Sequence, residues 1–257
     1  MLGLYDSGLG GLTVLAALRS AGITQEIVYF ADQAHVPYGD KTDAEIHGFL
    51  TENLALLAEQ HVEAVVTACN TSCAIAEKIG WPETAVPVLD LIATAGRSFA
   101  NMPYRRIAVV ATAATVRAGA YARAIRASAP GADVFEFAAP KLVPIVEQGF
   151  ADTETAREAV AEIVAELPRE IDALVYGCTH YPLLDRWFAS LLDPRTERID
   201  PARAQAAATA ELVAARHLPP GNATTTYYTN GDPDAFKTAV RRWTGDLTGR
   251  VAALVAH

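Results

Sequence analysis

The chain has 257 residues, 51% of them hydrophobic, and a formal net charge of −9; that is enough apolar material for one large or two small domains with a real core. The acidic balance argues against nucleic acid as a partner, because phosphate binding depends on clustered Lys and Arg. Three cysteines are too few for a disulfide framework and fit a reducing cytoplasm, no stretch approaches the roughly 20 apolar residues of a membrane span, and the N-terminus lacks the pattern of a secretory leader.

In chain order, residues 2–5 read as a buried strand, 6–11 as a tight turn and 12–19 as a helix. Gly8 and Gly10 supply the first two positions of a dinucleotide fingerprint, but the third falls on Thr13. The turn is therefore read as one that needs glycine backbone freedom and presents Asp6 and Ser7 at a strand end. Residues 27–31 form a second strand, followed by a long polar loop, 32–40, in which Pro37 adds stiffness and Gly39 permits close backbone approach. Such a loop suits ligand binding. Ile46, Phe49, Leu50, Leu54 and Leu57 mark the core face of the next helix. A third strand, 65–68, leads to Cys69, and Asn70 or Thr71 caps a helix that runs to residue 79 with Cys73 packed as a small core residue. Cys69 and Cys73 have C-x-x-x-C spacing without a paired His or Cys cluster, so neither a metal site nor a redox pair is expected. Residues 86–89 and 92–99 give a fourth strand and a helix.

The pattern then restarts. Residues 107–112 take the place that 2–7 held, and a helix (116–127), a strand (134–137), a segment carrying Glu147 (140–148), an amphipathic helix (154–166) and a strand (174–176) follow. The tail offers a helix (202–217), a strand (224–229), a turn (230–233) and a helix (234–243), and is long enough to return to the first half. The expected fold is α/β, with two similar α/β domains and the active site in the cleft between them. Residues 1–93 with 203–257 would make one domain and 94–202 the other.

One chemical feature is shared by the halves. After Glu63 the chain reads Ala64-Val65-Val66-Thr67-Ala68-Cys69-Asn70-Thr71, and after Asp172 it reads Ala173-Leu174-Val175-Tyr176-Gly177-Cys178-Thr179-His180. Each cysteine stands where a strand should give way to a helix. In open α/β sheets ligands sit beyond the carboxyl ends of the strands, next to helical N–H groups that favour anions, thiolates included. One free cysteine is ordinarily an inert core residue, but two in matched, hydroxyl-rich settings read as paired reactive thiols.

These stretches carry a resemblance. Asp6-Ser7-Gly8-Leu9-Gly10-Gly11-Leu12-Thr13, Val36-Pro37-Tyr38-Gly39, Ala68-Cys69-Asn70-Thr71, the 142–147 segment ending in Glu147, and Gly177-Cys178-Thr179-His180-Tyr181-Pro182 resemble, in order, the signature stretches of bacterial glutamate racemases. The resemblance implies a cofactor-independent, metal-independent cytoplasmic isomerase of the aspartate/glutamate racemase superfamily, a homodimer that supplies D-glutamate to peptidoglycan. It also implies catalytic roles for Cys69 and Cys178, with Asp6 attending the first and Glu147 and His180 the second. Substrate would be held by Asp6, Ser7, the loop residues Pro37, Tyr38 and Gly39, and Asn70 and Thr71. From the second half the resemblance adds Thr112, Thr115, Thr179 and His180. The chain departs from the family pattern at Ala31-Asp32-Gln33, at Cys73 and at Asp200-Pro201, which bears on pocket size and leaves aspartate or another amino acid open as substrate. A protein-binding role on a racemase scaffold is the other alternative.

The chemistry accounts for the pair of thiols. Racemisation takes the Cα proton from one face and returns a proton to the other, so a two-base enzyme needs one thiolate and one thiol, and a cysteine with a pKa of ~8.5 can be tuned to either. Without a cofactor the carbanion must be stabilised by hydrogen-bond donors. Ser7, Asn70, Thr71 and Thr179, together with backbone N–H groups near Gly39 and at helix starts after both cysteines, are the candidates.

Overall fold

The computed structural model describes residues 1–246 and 249–253. Its first half runs β1 (Leu2–Asp6), α1 (Gly11–Ser20), β2 (Ile27–Ala31), α2 (Asp43–Glu59), β3 (Val65–Thr67), α3 (Asn70–Ile79), β4 (Val88–Leu89) and α4 (Leu91–Ser98). The second half runs β5 (Arg106–Ala111), α5 (Ala113–Ala118), α6 (Ala120–Ser128), β6 (Asp133–Ala138), α7 (Leu142–Glu147), α8 (Glu154–Glu166), β7 (Ala173–Gly177), α9 (Asp185–Leu191) and β8 (Glu197–Ile199). The tail adds α10 (Pro201–Ala215), β9 (Thr225–Thr229), α11 (Pro233–Thr244) and β10 (Arg250–Ala253).

The strands make two parallel sheets, ordered β10-β9-β2-β1-β3-β4 and β6-β5-β7-β8. The fold is thus α/β with two parallel layers, and the second sheet repeats the order β2-β1-β3-β4 of the first. β1 corresponds to β5 and β3 to β7. In each half the strand order reverses at the central strand, which is where an open α/β sheet leaves its ligand crevice. Asp6 and Cys69 lie at the carboxyl ends of β1 and β3, and Thr112 and Cys178 at those of β5 and β7. The central strands are buried along their length, as helices on both faces require, which explains their uninterrupted apolar runs.

The tail turns back onto the first sheet. β9 pairs with β2, and β10 with β9. Gln205 on α10 is fully buried; its Nε2 donates to the Thr67 and Leu89 carbonyls at 2.9 Å each, and its Oε1 accepts from Thr94 at 2.7 Å. One apolar core cluster includes Tyr5 and Ile75 of the first half with Val109 and Tyr121 of the second, so the halves share packed interior. α4 lies close against α6 because Gly96 has no Cβ, which would fall 2.6 Å from that of Ala124.

Two local expectations fail for identifiable reasons. The helix expected over 116–127 is two helices, broken where Gly119 takes the left-handed conformation at φ +66°. No helix starts at Cys178. Pro182 lacks the amide that would close an α-turn onto the Cys178 carbonyl; the Tyr181 N–H donates there instead at 3.1 Å, making a 3-10 turn over Tyr181–Leu184 before α9. The short strands β8 and β10 were absent from the sequence reading.

Candidate active site

The turn after β1 brings the halves together. Its glycines matter for space rather than for unusual torsions, since none of Gly8, Gly10 and Gly11 has positive φ. A Cβ on Gly8 would lie 2.2 Å from Glu147 Oε1, and one on Gly10 would lie 2.3 Å from Thr179 Oγ1 and 2.5 Å from His180 Nδ1. Removing those methyl groups lets the first half's turn sit against the acid and base of the second. The Leu9 N–H then donates to Glu147 Oε1 at 2.7 Å, and Thr13 Oγ1 to the Thr179 carbonyl at 3.2 Å.

Asp6 is fully buried, its Oδ1 accepting from the Gly8 N–H at 2.8 Å and its Oδ2 from Thr179 Oγ1 at 3.1 Å. Burial pushes its pKa up to about 6, against the opposing charge of His180. Cys69, 3% exposed, stands at the N-cap position of α3 without a side-chain capping hydrogen bond. Burial and then the Asp6 carboxylate push its thiol up to about 12, while hydrogen bonds from Ser72 and Ser7 work the other way. Cys69 therefore rests as a thiol, a proton donor.

On the other side Cys178, 5% exposed, has His180 Nδ1 3.6 Å from its sulfur, and His180 Nε2 lies 2.5 Å from Glu147 Oε1. Burial acts to lower the His180 pKa, but hydrogen bonds to Cys178 and Glu147 outweigh it and raise the imidazole well above its ordinary value. Burial likewise acts to raise Glu147, yet the His180 contacts, the Leu9 N–H and Gln33 Nε2 hold it below the ordinary carboxylate range. A sulfur, an imidazolium and a carboxylate thus stand in line, an arrangement able to take and return a proton at Cys178.

The donors expected to hold substrate converge from both halves. Thr71 Oγ1 on α3 and Thr112 Oγ1 are 2.9 Å apart, and Thr112 reaches Thr115 Oγ1 at 2.9 Å. Asn70 Oδ1 accepts from Tyr121 at 2.5 Å, and its buried Nδ2 has no hydrogen-bond partner among the described residues. That amide is a desolvated donor ready for an anion. Gly39 packs on the second half, where a Cβ would lie 3.1 Å from that of Thr112. Pro37 is half-buried in the same loop. The Tyr38 hydroxyl donates to Asp32 and accepts from Tyr5. The helix N-terminus expected beside Cys178 is lacking, since the 3-10 turn intervenes.

Several supporting residues were not read from the sequence. Gln33, noted only as a departure, accepts from Thr229 at 3.0 Å and donates to Glu147 Oε2 at 3.4 Å. Ser72 and Tyr121 have no sequence signal beyond their position near a motif. Among the described residues no group of three or more His, Cys, Asp and Glu is arranged to hold a metal, and no helix is long and apolar enough to cross a membrane.

Residues 13–209 match the model of the Asp/Glu/hydantoin racemase family. The chain belongs to that family. It is an isomerase of the racemase class. It is 45% identical over 249 residues to a glutamate racemase of Gloeobacter violaceus, covering 95% of this chain and 92% of that one. The crystal structure of the glutamate racemase isoform RacE1 from Bacillus anthracis superposes with a TM-score of 0.92 at 27% identity, over 99% of this racemase and 97% of the other. A Francisella tularensis glutamate racemase, solved in complex with D-glutamate, superposes with a TM-score of 0.88 at 29% identity, over 99% and 97%.

Proposed function

We propose that this racemase interconverts L- and D-glutamate by a two-base mechanism that uses Cys69 and Cys178 and no cofactor, and so supplies D-glutamate for peptidoglycan. The observation that carries the reading is the pair of buried thiols at the ends of the equivalent strands β3 and β7, each with its own ionisable neighbour. From L-glutamate, Cys178 removes the Cα proton with His180 and Glu147 accommodating the charge, and Cys69, held as a thiol, protonates the opposite face. The reverse reaction exchanges the roles. The 45%-identical relative and the D-glutamate complex support glutamate as substrate.

The carbanion and the two carboxylates are held by the Asn70 amide and the hydroxyls of Ser7, Thr71, Thr112, Thr115 and Thr179, which fits a pocket that brings no Arg in its motifs. Residues 1–93 with 203–257 form one domain and 94–202 the other, the cleft between them being the site; of these, 247–248 and 254–257 lie outside the described residues. The enzyme works in the cytoplasm as a homodimer. Purified protein given L-glutamate or D-glutamate should bring either to the racemic mixture in a polarimeter, without pyridoxal phosphate and after exhaustive chelation. Activity that requires pyridoxal phosphate or a metal, or that acts on L-aspartate in preference, contradicts the proposal.

A further inference from the structure

Cys69 lies sealed in the interior, and each turnover leaves it in the wrong protonation state. After conversion of L-glutamate it is a thiolate that must regain a proton, and after conversion of D-glutamate it is a thiol that must lose one. Cys178 has His180 and Glu147 for this purpose. On the Cys69 side the Asp6 carboxylate is fully buried.

A chain of hydroxyls leads out of the site in another direction. Ser72 stands one helical turn after Cys69 on α3, at the i, i+3 spacing that puts two side chains on one face, and its hydroxyl is among the groups that work to lower the thiol's pKa. Ser72 Oγ lies 3.1 Å from Tyr5 Oη, Tyr5 Oη donates to Tyr38 Oη at 3.0 Å, and Tyr38 Oη donates to Asp32 Oδ2. Asp32 Oδ1 meets His35 Nδ1 at 2.7 Å. The side chain of Asp32 is 2% exposed and that of His35 is 37% exposed, so the last member reaches solvent. Tyr5, Tyr38 and Ser72 are all buried.

The chain has a direction fixed by its end. At that end Tyr38 donates to Asp32. Tyr5 then donates to Tyr38 and Ser72 to Tyr5, which leaves a lone pair of the Ser72 oxygen on the Cys69 side to take up a proton. Asn53 Nδ2 donates to both Asp32 Oδ2 (3.2 Å) and Tyr38 Oη (3.3 Å), and Asn230 Nδ2 donates to Asp32 Oδ1 at 2.5 Å, which holds the acceptor end in register.

We infer that Ser72, Tyr5 and Tyr38 form a proton relay between Cys69 and the Asp32–His35 pair at the surface, and that it resets Cys69 between turnovers. The inference rests on the two-thiol racemase reading. In one direction the Cys69 proton passes to Ser72 Oγ as the Ser72 proton moves to Tyr5, that of Tyr5 to Tyr38 and that of Tyr38 to Asp32; each oxygen gains one proton and loses one. The thiol and carboxylate become a thiolate and a carboxylic acid, and the Asp32–His35 pair exchanges that proton with water. The opposite shift reloads a thiolate. The three relay residues act through Cys69 and need not touch substrate.

Tyr5→Phe removes the hydroxyl at the middle of the relay and keeps the ring. A step between turnovers limits kcat but not kcat/KM, so Tyr5→Phe should lower kcat by about tenfold or more with kcat/KM within about twofold, in both directions. Tyr38→Phe, which breaks the next link, should give the same split and serves if Tyr5→Phe does not fold. A structural role would instead lower kcat and kcat/KM together. That result, or no change in either constant, overturns the relay while wild-type racemisation leaves the assigned function standing. A wild type that does not racemise glutamate overturns both.

Discussion

Asp6 shows what the site costs the fold. A carboxyl group whose pKa rises from 3.8 to about 6 in the folded protein holds its proton longer folded than unfolded. Between those values the folded state binds more protons, so stability falls as pH rises through the window, is unaffected below it, and carries the whole penalty above it. The penalty is about 3 kcal/mol. Asp6→Asn, which retains an oxygen for the Gly8 N–H, should therefore raise the melting temperature at about pH 8, with the gain shrinking towards pH 4. Calorimetry across that range checks it, and a gain independent of pH would show that burial of charge is not the cause. Activity should fall in the same variant, the usual exchange between stability and function at a strained site.

At the scale of elements, the turn between β1 and α1 is the joint on which the geometry depends. Gly10→Ala would press a methyl group into Thr179 and His180, which belong to the other half, and a displacement of about 1 Å at reacting groups costs about a hundredfold in rate. Gly10→Ala should thus lose about two orders of magnitude in kcat/KM and lower the melting temperature as well, overpacking of this kind costing about 1–3 kcal/mol. Near-normal kinetics would mean that the turn and the catalytic groups are not in contact. The need for glycine was legible in the sequence, but its cause was not: a pattern of glycines shows permissiveness, whereas close approach depends on residues more than a hundred positions away. The paired strands and their cysteines were legible because buried parallel strands read as apolar runs. The break at Gly119, the 3-10 turn after Cys178 and the strands β8 and β10 were not, since short elements are decided by single backbone amides and by their neighbours. The same limit hid the Asp32 network, whose partners Asn53 and Asn230 lie on α2 and in the tail.

For the whole molecule, two sheets of the same strand order set two thiols at corresponding places, and hydrogen bonds such as Leu9 to Glu147 and Thr71 to Thr112 hold the halves together around them. Neither thiol is more than 5% exposed, so both are shielded from bulk water. The repeated strand order makes the machinery symmetric in plan, while its side chains make it asymmetric in detail. One side has a thiol raised by burial beside Asp6, the other a thiol in line with His180 and Glu147. The assignment of one face to each cysteine is the central claim, and isotope incorporation in deuterated water tests it most directly. Starting from L-glutamate, early D-glutamate should carry deuterium at Cα while the remaining L-glutamate stays unlabelled, and Cys69→Ala and Cys178→Ala should each abolish racemisation in both directions. Deuterium appearing in L-glutamate as fast as D-glutamate forms, or near-normal racemisation by Cys178→Ala, would contradict the account.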